Sequence, residues 1–98
     1  MGKYVLVYKG GSIPQTEEEQ KRVMDAWMAW FGGLGDSVVD IGNPFGGGAA
    51  VGGGSTSGLT GYSIVNADSL DDAVAKAGTC PILDGGSGDV EVYETLEM

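Results

Sequence analysis

Residues 3–9 read KYVLVYK and run into Gly10-Gly11, and the fold turns on how this stretch is read. It is short, β-branched and aromatic, and glycines close it, as expected of a strand. Tyr4, Leu6 and Tyr8 occupy one phase, Val5 and Val7 the other. A strand with one wet face alternates apolar with polar residues. This one is therefore expected to be covered on both sides.

Downstream, Pro14-Gln15 leads into Thr16-Glu17-Glu18-Glu19, which has the spacing of a capping box: the threonine hydroxyl accepts from the Glu19 N–H while the Glu19 carboxylate reaches back. Three glutamates in the first turn suit the positive end of a helix dipole. The spacing predicts a helix over 17–31, stopped by Gly32-Gly33. Val23, Met24, Trp27, Met28, Trp30 and Phe31 fall on one arc, wide for a helix covering half a sheet. Residues 37–41 (SVVDI) read as a second strand ended by Asn43-Pro44, and 62–67 (YSIVNA) as a third. Between them, 44–61 is rich in Gly, Ser and Thr, with GGG at 46–48 and 52–54. Such a composition predicts a mobile hairpin connection with short paired edges. Ser69 caps a second helix with the apolar stripe Leu70, Ala73, Val74 and Ala77, ended by Gly78. Residues 89–96 (DVEVYETL) form the fourth strand.

The order β-α-β-β-α-β is that of the ferredoxin-like α+β fold. Right-handed crossovers place two helices on one face of a four-stranded antiparallel sheet. The opposite face is bare in a single copy, and its expected cover is a second copy packed sheet to sheet, a homodimer about a two-fold axis.

Composition bounds the rest. At 98 residues there is room for a single domain, 1–98, and a hydrophobic fraction of 42% argues for a folded core. The formal charge is −9, from 14 acidic against 5 basic residues. Arg22 and four scattered lysines cannot neutralise a phosphate backbone, which excludes nucleic acid as a partner and speaks against anionic membranes. Cys80 stands alone, so no intrachain disulfide can form. The opening Met-Gly-Lys-Tyr lacks a signal-peptide pattern, no apolar run reaches the roughly 18 residues of a membrane span, and a cytoplasmic location is expected.

KYVLVYKG, AWMAWFGGLGD, VVDIGNP, TGYSIVNADSLDDAVAKA and the ending CPIL…VEVYETLEM together resemble the YCII-related (DGPF-type) domain family. The resemblance spans nearly the whole chain except about 45–60. It implies a dimeric α/β barrel, in line with the strand-face argument. Some members carry a histidine and an aspartate proposed as a catalytic pair. This chain has no histidine, so that role has no counterpart here.

Lack of histidine also removes Ser-His-Asp and Cys-His arrangements and, with a single cysteine, the usual tetrahedral zinc site. No metal and no cofactor are expected. Asp68, Asp71 and Asp72 sit at a helix start, where capping and the dipole account for them. The glycine clusters match neither GxxxxGK[ST] nor GxGxxG. Cys80 follows a helix end, the negative pole, which favours a structural thiol over a reactive one. Asp40 shares a strand phase with Val38. If that face looked into a dimer barrel, Asp40 would be a partly buried acid and a candidate base, with Tyr8, Tyr62 and Tyr93 lining the same cavity. A wet sheet edge is the plainer place for it. Trp27 and Trp30 read as core anchors, or as walls of a pocket for a flat aromatic ligand.

The function expected from the sequence is a YCII-like dimeric domain that binds a small molecule or serves as an interaction module. The alternative is a cofactor-free enzyme acting on a small, possibly aromatic substrate in the barrel, with Asp40 as base and Tyr8, Trp27, Asn43, Tyr62 and Tyr93 as ligand contacts.

Overall fold

The computed structural model describes residues 2–10, 15–86 and 88–96. Gly11, expected to close the first strand, and Pro14, expected to lead into the first helix, lie outside the described residues. The elements run β1 (Gly2–Gly10), α1 (Glu17–Leu34), a 3-10 turn (Gly35–Ser37), β2 (Val38–Asp40), β3 (Leu59–Ala67), α2 (Leu70–Ala77), a second 3-10 segment (Pro81–Gly86) and β4 (Gly88–Glu94). The strand order is β2-β3-β1-β4, with antiparallel pairing throughout. None of the described helices is long and apolar enough to cross a membrane.

β1 is central, as its apolar content demands. Tyr4, Leu6 and Tyr8 lie opposite Val65, Ser63 and Gly61 of β3, and Leu6 and Tyr8 opposite Val92 and Val90 of β4. This phase packs under the helices. Leu6, Val65 and Ala73 are fully buried, and Tyr4, Tyr8, Trp30, Ala67, Ala77 and Cys80 complete the core. Cys80 is thus a core thiol, which follows from its place at the turn after α2.

The helix caps form as the sequence leads one to expect. Thr16 Oγ1 accepts from Glu19 N at 3.1 Å, and Ser69 Oγ accepts from Asp72 N at 3.1 Å. The Glu19 carboxylate reaches one residue further back, accepting from Gln15 N at 2.8 Å. α1 does not stop at Gly32-Gly33; it runs on to Leu34, which packs against the core and repays a further turn. Gly35 then ends it at φ 56°, a conformation open to glycine, and its N–H returns to the Phe31 carbonyl.

The expected dimeric α/β barrel is not what the chain forms: its four-stranded sheet is open, with β2 and β4 as separate edges. Two features explain the difference. β2 contributes only three residues, and its ladder shifts register between Val38 and Asp40, so it cannot extend a closed wall. The helix-free phase of β1 is also less apolar in context than in isolation. Val5 and Val7 are half-buried within the single chain and sit in rows with Tyr93 and Glu91 of β4, while Lys3 and Lys9 flank them. On the other side Val5 and Val7 lie opposite Ile64 and Tyr62 of β3, so the charged neighbours of this face come from β4 and the strand ends.

The glycine-rich connection has the short paired edges expected of it. Pro44 bridges Gly61, and Phe45 N donates to the Thr60 carbonyl at 2.8 Å. Ahead of that bridge, Gly42 turns at φ 78°, and a Cβ there would lie 1.8 Å from the Tyr62 carbonyl oxygen. Only glycine fits both demands.

Candidate functional site: the cleft between the first helix and the sheet

α1 carries more apolar surface than the sheet end beneath it can cover. Trp30 is buried, while Val23, Met24 and Met28 are 41%, 66% and 61% exposed. These side chains and Gln20, Trp27 and Phe31 form one wall of an open cleft of about 530 Å³. The other wall is the sheet and its rim: Tyr8 of β1, Gly61, Tyr62 and Ser63 of β3, and the turn 41–44, with Ile82 at one side. The volume suits a drug-sized or smaller ligand, for which pockets of roughly 300–1,000 Å³ are usual. Among the described residues that line it, none carries a charge. An ion entering the cleft would lose hydration without a counter-charge, so the site favours a neutral guest.

Aromatic rings shape the floor. Tyr8 and Trp27 meet edge-to-face with centroids 4.9 Å apart, and Trp27 in turn contacts Trp30 and Phe31 at 5.7 and 5.9 Å. The two tryptophans divide the roles read from the sequence. Trp30 is a core anchor whose indole N–H donates to Thr79 Oγ1 at 2.9 Å, whereas Trp27 is half-buried and borders the cleft.

The polar content is small and ordered. Tyr8 Oη donates to Ser63 Oγ at 2.7 Å, and Ser63 Oγ donates to the Ile41 carbonyl at 2.5 Å. Burial pushes the Tyr8 hydroxyl up to about 12, with the Ser63 bond pulling the other way. Tyr8 is therefore a neutral phenol across the physiological range. Asn43, Thr60 and Gln20 add hydrogen-bonding groups along the cleft.

Four of the sequence-derived ligand candidates, Tyr8, Trp27, Asn43 and Tyr62, come together here. Tyr62 stands at the rim, its ring stacked on Phe45 with centroids 5.8 Å apart. Tyr93 does not join them; it is 53% exposed on β4 and donates to Glu91 Oε1 at 2.6 Å. Asp40 is exposed on edge strand β2, where the register shift takes it out of phase with Val38. Its Oδ1 accepts from Gly42 N at 2.8 Å, which ties the carboxylate to the cleft's rim turn. Ser63 and Ile41 are not among the ligand candidates read from the sequence, and Met24 and Met28 enter that reading only as part of the α1 arc. Ser63 did carry a signal: a lone hydroxyl in the buried phase of Val65 and Ala67 needs a partner. No group of three or more metal-ligating side chains occurs among the described residues.

A scan against protein-family models and a comparison with curated proteins each found no match. Among solved structures, the chain is similar to 5-chloro-2-hydroxyhydroquinone dehydrochlorinase (TftG) from Burkholderia phenoliruptrix AC1100, in complex with 2,5-dihydroxybenzoquinone. The TM-score is 0.61 at 18% identity, covering 97% of this chain and 95% of that one. The two proteins share a fold. The likeness runs over nearly the whole of both chains and is one of fold.

Proposed function

We propose that the cleft beneath α1 binds a small, flat, uncharged aromatic compound, and that the chain acts on it without a cofactor. The observation that carries this reading is a cleft of suitable volume, walled by Trp27, Phe31 and Tyr8, with no charge among its described lining residues and one ordered hydroxyl pair on its floor. Aromatic walls favour a planar guest through offset and edge-to-face contacts, each contributing about 0.5–1.5 kcal/mol beyond burial. Membership of the broader YCII-like group fits the resemblance of the sequence and the end-to-end likeness to TftG, a protein that handles a hydroxylated aromatic ring. That likeness supports turnover as well as binding, by fold analogy.

In this reading Asp40, which stands outside the cleft lining and is tied to the rim turn by Gly42 N, serves as base toward a ligand group that projects past the rim, while Asn43 and the cleft tyrosines orient the ring. The test is incubation with a panel of chlorinated and unchlorinated hydroquinones, followed by ultraviolet–visible spectra and chloride release, beside calorimetric titration of the same compounds. Saturable binding with turnover that Asp40→Asn reduces at least ten-fold supports both halves. Binding with no turnover removes the catalytic half, and no binding across the panel removes the proposal.

A further inference from the structure

Resting on the reading of the cleft as a small-molecule site, we propose that its ligand meets Tyr8 as a hydrogen-bond donor. The ligand class is then hydroxylated aromatics bearing a free phenolic O–H, discriminated from their ethers and from rings that offer only acceptor oxygens.

The polarity is forced by one backbone atom. A carbonyl oxygen can only accept, so the 2.5 Å contact between Ser63 Oγ and the Ile41 carbonyl consumes the single hydroxyl hydrogen of Ser63. With that hydrogen spent, the 2.7 Å contact between Tyr8 and Ser63 must be supplied by the Tyr8 hydrogen. Reversing the chain would set two acceptor oxygens 2.5 Å apart with no proton between them, which is repulsive and leaves a carbonyl unpaired. What remains on Tyr8 Oη is lone-pair density. Ser63 is 0% exposed, so the direction of the relay is set away from solvent, while Tyr8 meets the cleft as one of its lining residues.

The arrangement is also held by the cleft's rim turn. Ile41 precedes Gly42, whose backbone fits against Tyr62 only because it lacks a Cβ. The carbonyl that dictates the direction of the relay is thereby fixed by the rim turn. Burial keeps the Tyr8 phenol neutral, so it orients a hydroxylated ring and does not take its proton.

The experiment compares catechol with 1,2-dimethoxybenzene by calorimetric titration of wild type, Tyr8→Phe and Ser63→Ala, with circular dichroism on each variant. Wild type is expected to bind catechol on the order of ten-fold more tightly, the worth of one hydrogen bond. Tyr8→Phe is expected to bring the two within about two-fold, scaled to the loss of that same bond. Ser63→Ala releases the Tyr8 hydrogen toward the cleft and is expected to narrow the preference while catechol still binds. Equal wild-type affinities overturn the donor rule and leave the cleft reading standing. A preference that survives in folded Tyr8→Phe overturns the assignment to Tyr8. Binding of neither compound takes down the cleft reading and the donor rule together.

Discussion

The rings of Tyr8 and Trp27 stand at 81° with centroids 4.9 Å apart, so a β1 side chain and an α1 side chain set the spacing of helix and sheet at the cleft. Trp27→Ala should lower stability by about 2–3 kcal/mol, below a fully buried tryptophan because Trp27 is only half-buried. It should also abolish ligand binding. Trp27→Phe should keep most of the stability. Urea denaturation with ligand titration checks both, and a fully stable Trp27→Ala would show that the contact does not hold α1 in place.

Gly42 should be nearly irreplaceable among the loop glycines. Gly42→Ala combines positive φ with a collision at the Tyr62 carbonyl and should cost about 2 kcal/mol or more. Gly47→Ala, with no neighbour within 4 Å, should change stability by less than about 0.5 kcal/mol. Thermal melts of the pair separate a structural turn from a merely flexible loop.

Thr79 joins two elements through one hydroxyl, accepting from the Trp30 indole and donating to the Lys76 carbonyl at 2.9 Å. Thr79→Val should leave the part-buried indole N–H unpaired and cost about 1–2 kcal/mol. The Trp30 indole proton should then exchange faster by NMR. Unchanged exchange would contradict the bond.

Alkaline pH should destabilise the fold through Tyr8. Its folded value, raised by burial to about 12, lies above the ordinary tyrosine value of 10.0. Between these values the unfolded chain has lost the phenol proton and the folded chain keeps it, so stability falls as pH rises. The contribution is complete below pH 10 and lost by about 12. Tyr4 is shifted the same way by burial, and Tyr93 by its bond to Glu91. Tyr8→Phe should flatten the decline over that window in pH-dependent denaturation, and an unaltered slope would assign it elsewhere.

How far the residues alone could take one depends on which forces act locally. Element order and both N-caps were legible, because capping spacing and strand-forming composition act within a few residues. The run of α1 through Gly32-Gly33 was not, since it rests on Leu34 finding the core. The barrel expectation failed because β2 is only three residues long and shifts register against β3, which leaves the sheet open and depends on a pairing distant in sequence. The register shift that takes Asp40 out of phase with Val38 has no sequence mark. Tyr8, Trp27, Asn43 and Tyr62 were recognised as ligand candidates by type, but the expected cavity lay on the helix-free face, whereas the cleft lies under α1. The width of the α1 arc was the clue to it.

The two indole N–H protons provide the most direct test of the cleft, because Trp27 borders it and Trp30, bonded to Thr79, does not. In a two-dimensional NMR titration with catechol, the Trp27 indole signal should move saturably while that of Trp30 stays in place. A titration in which neither moves, or in which only Trp30 responds, would contradict the account.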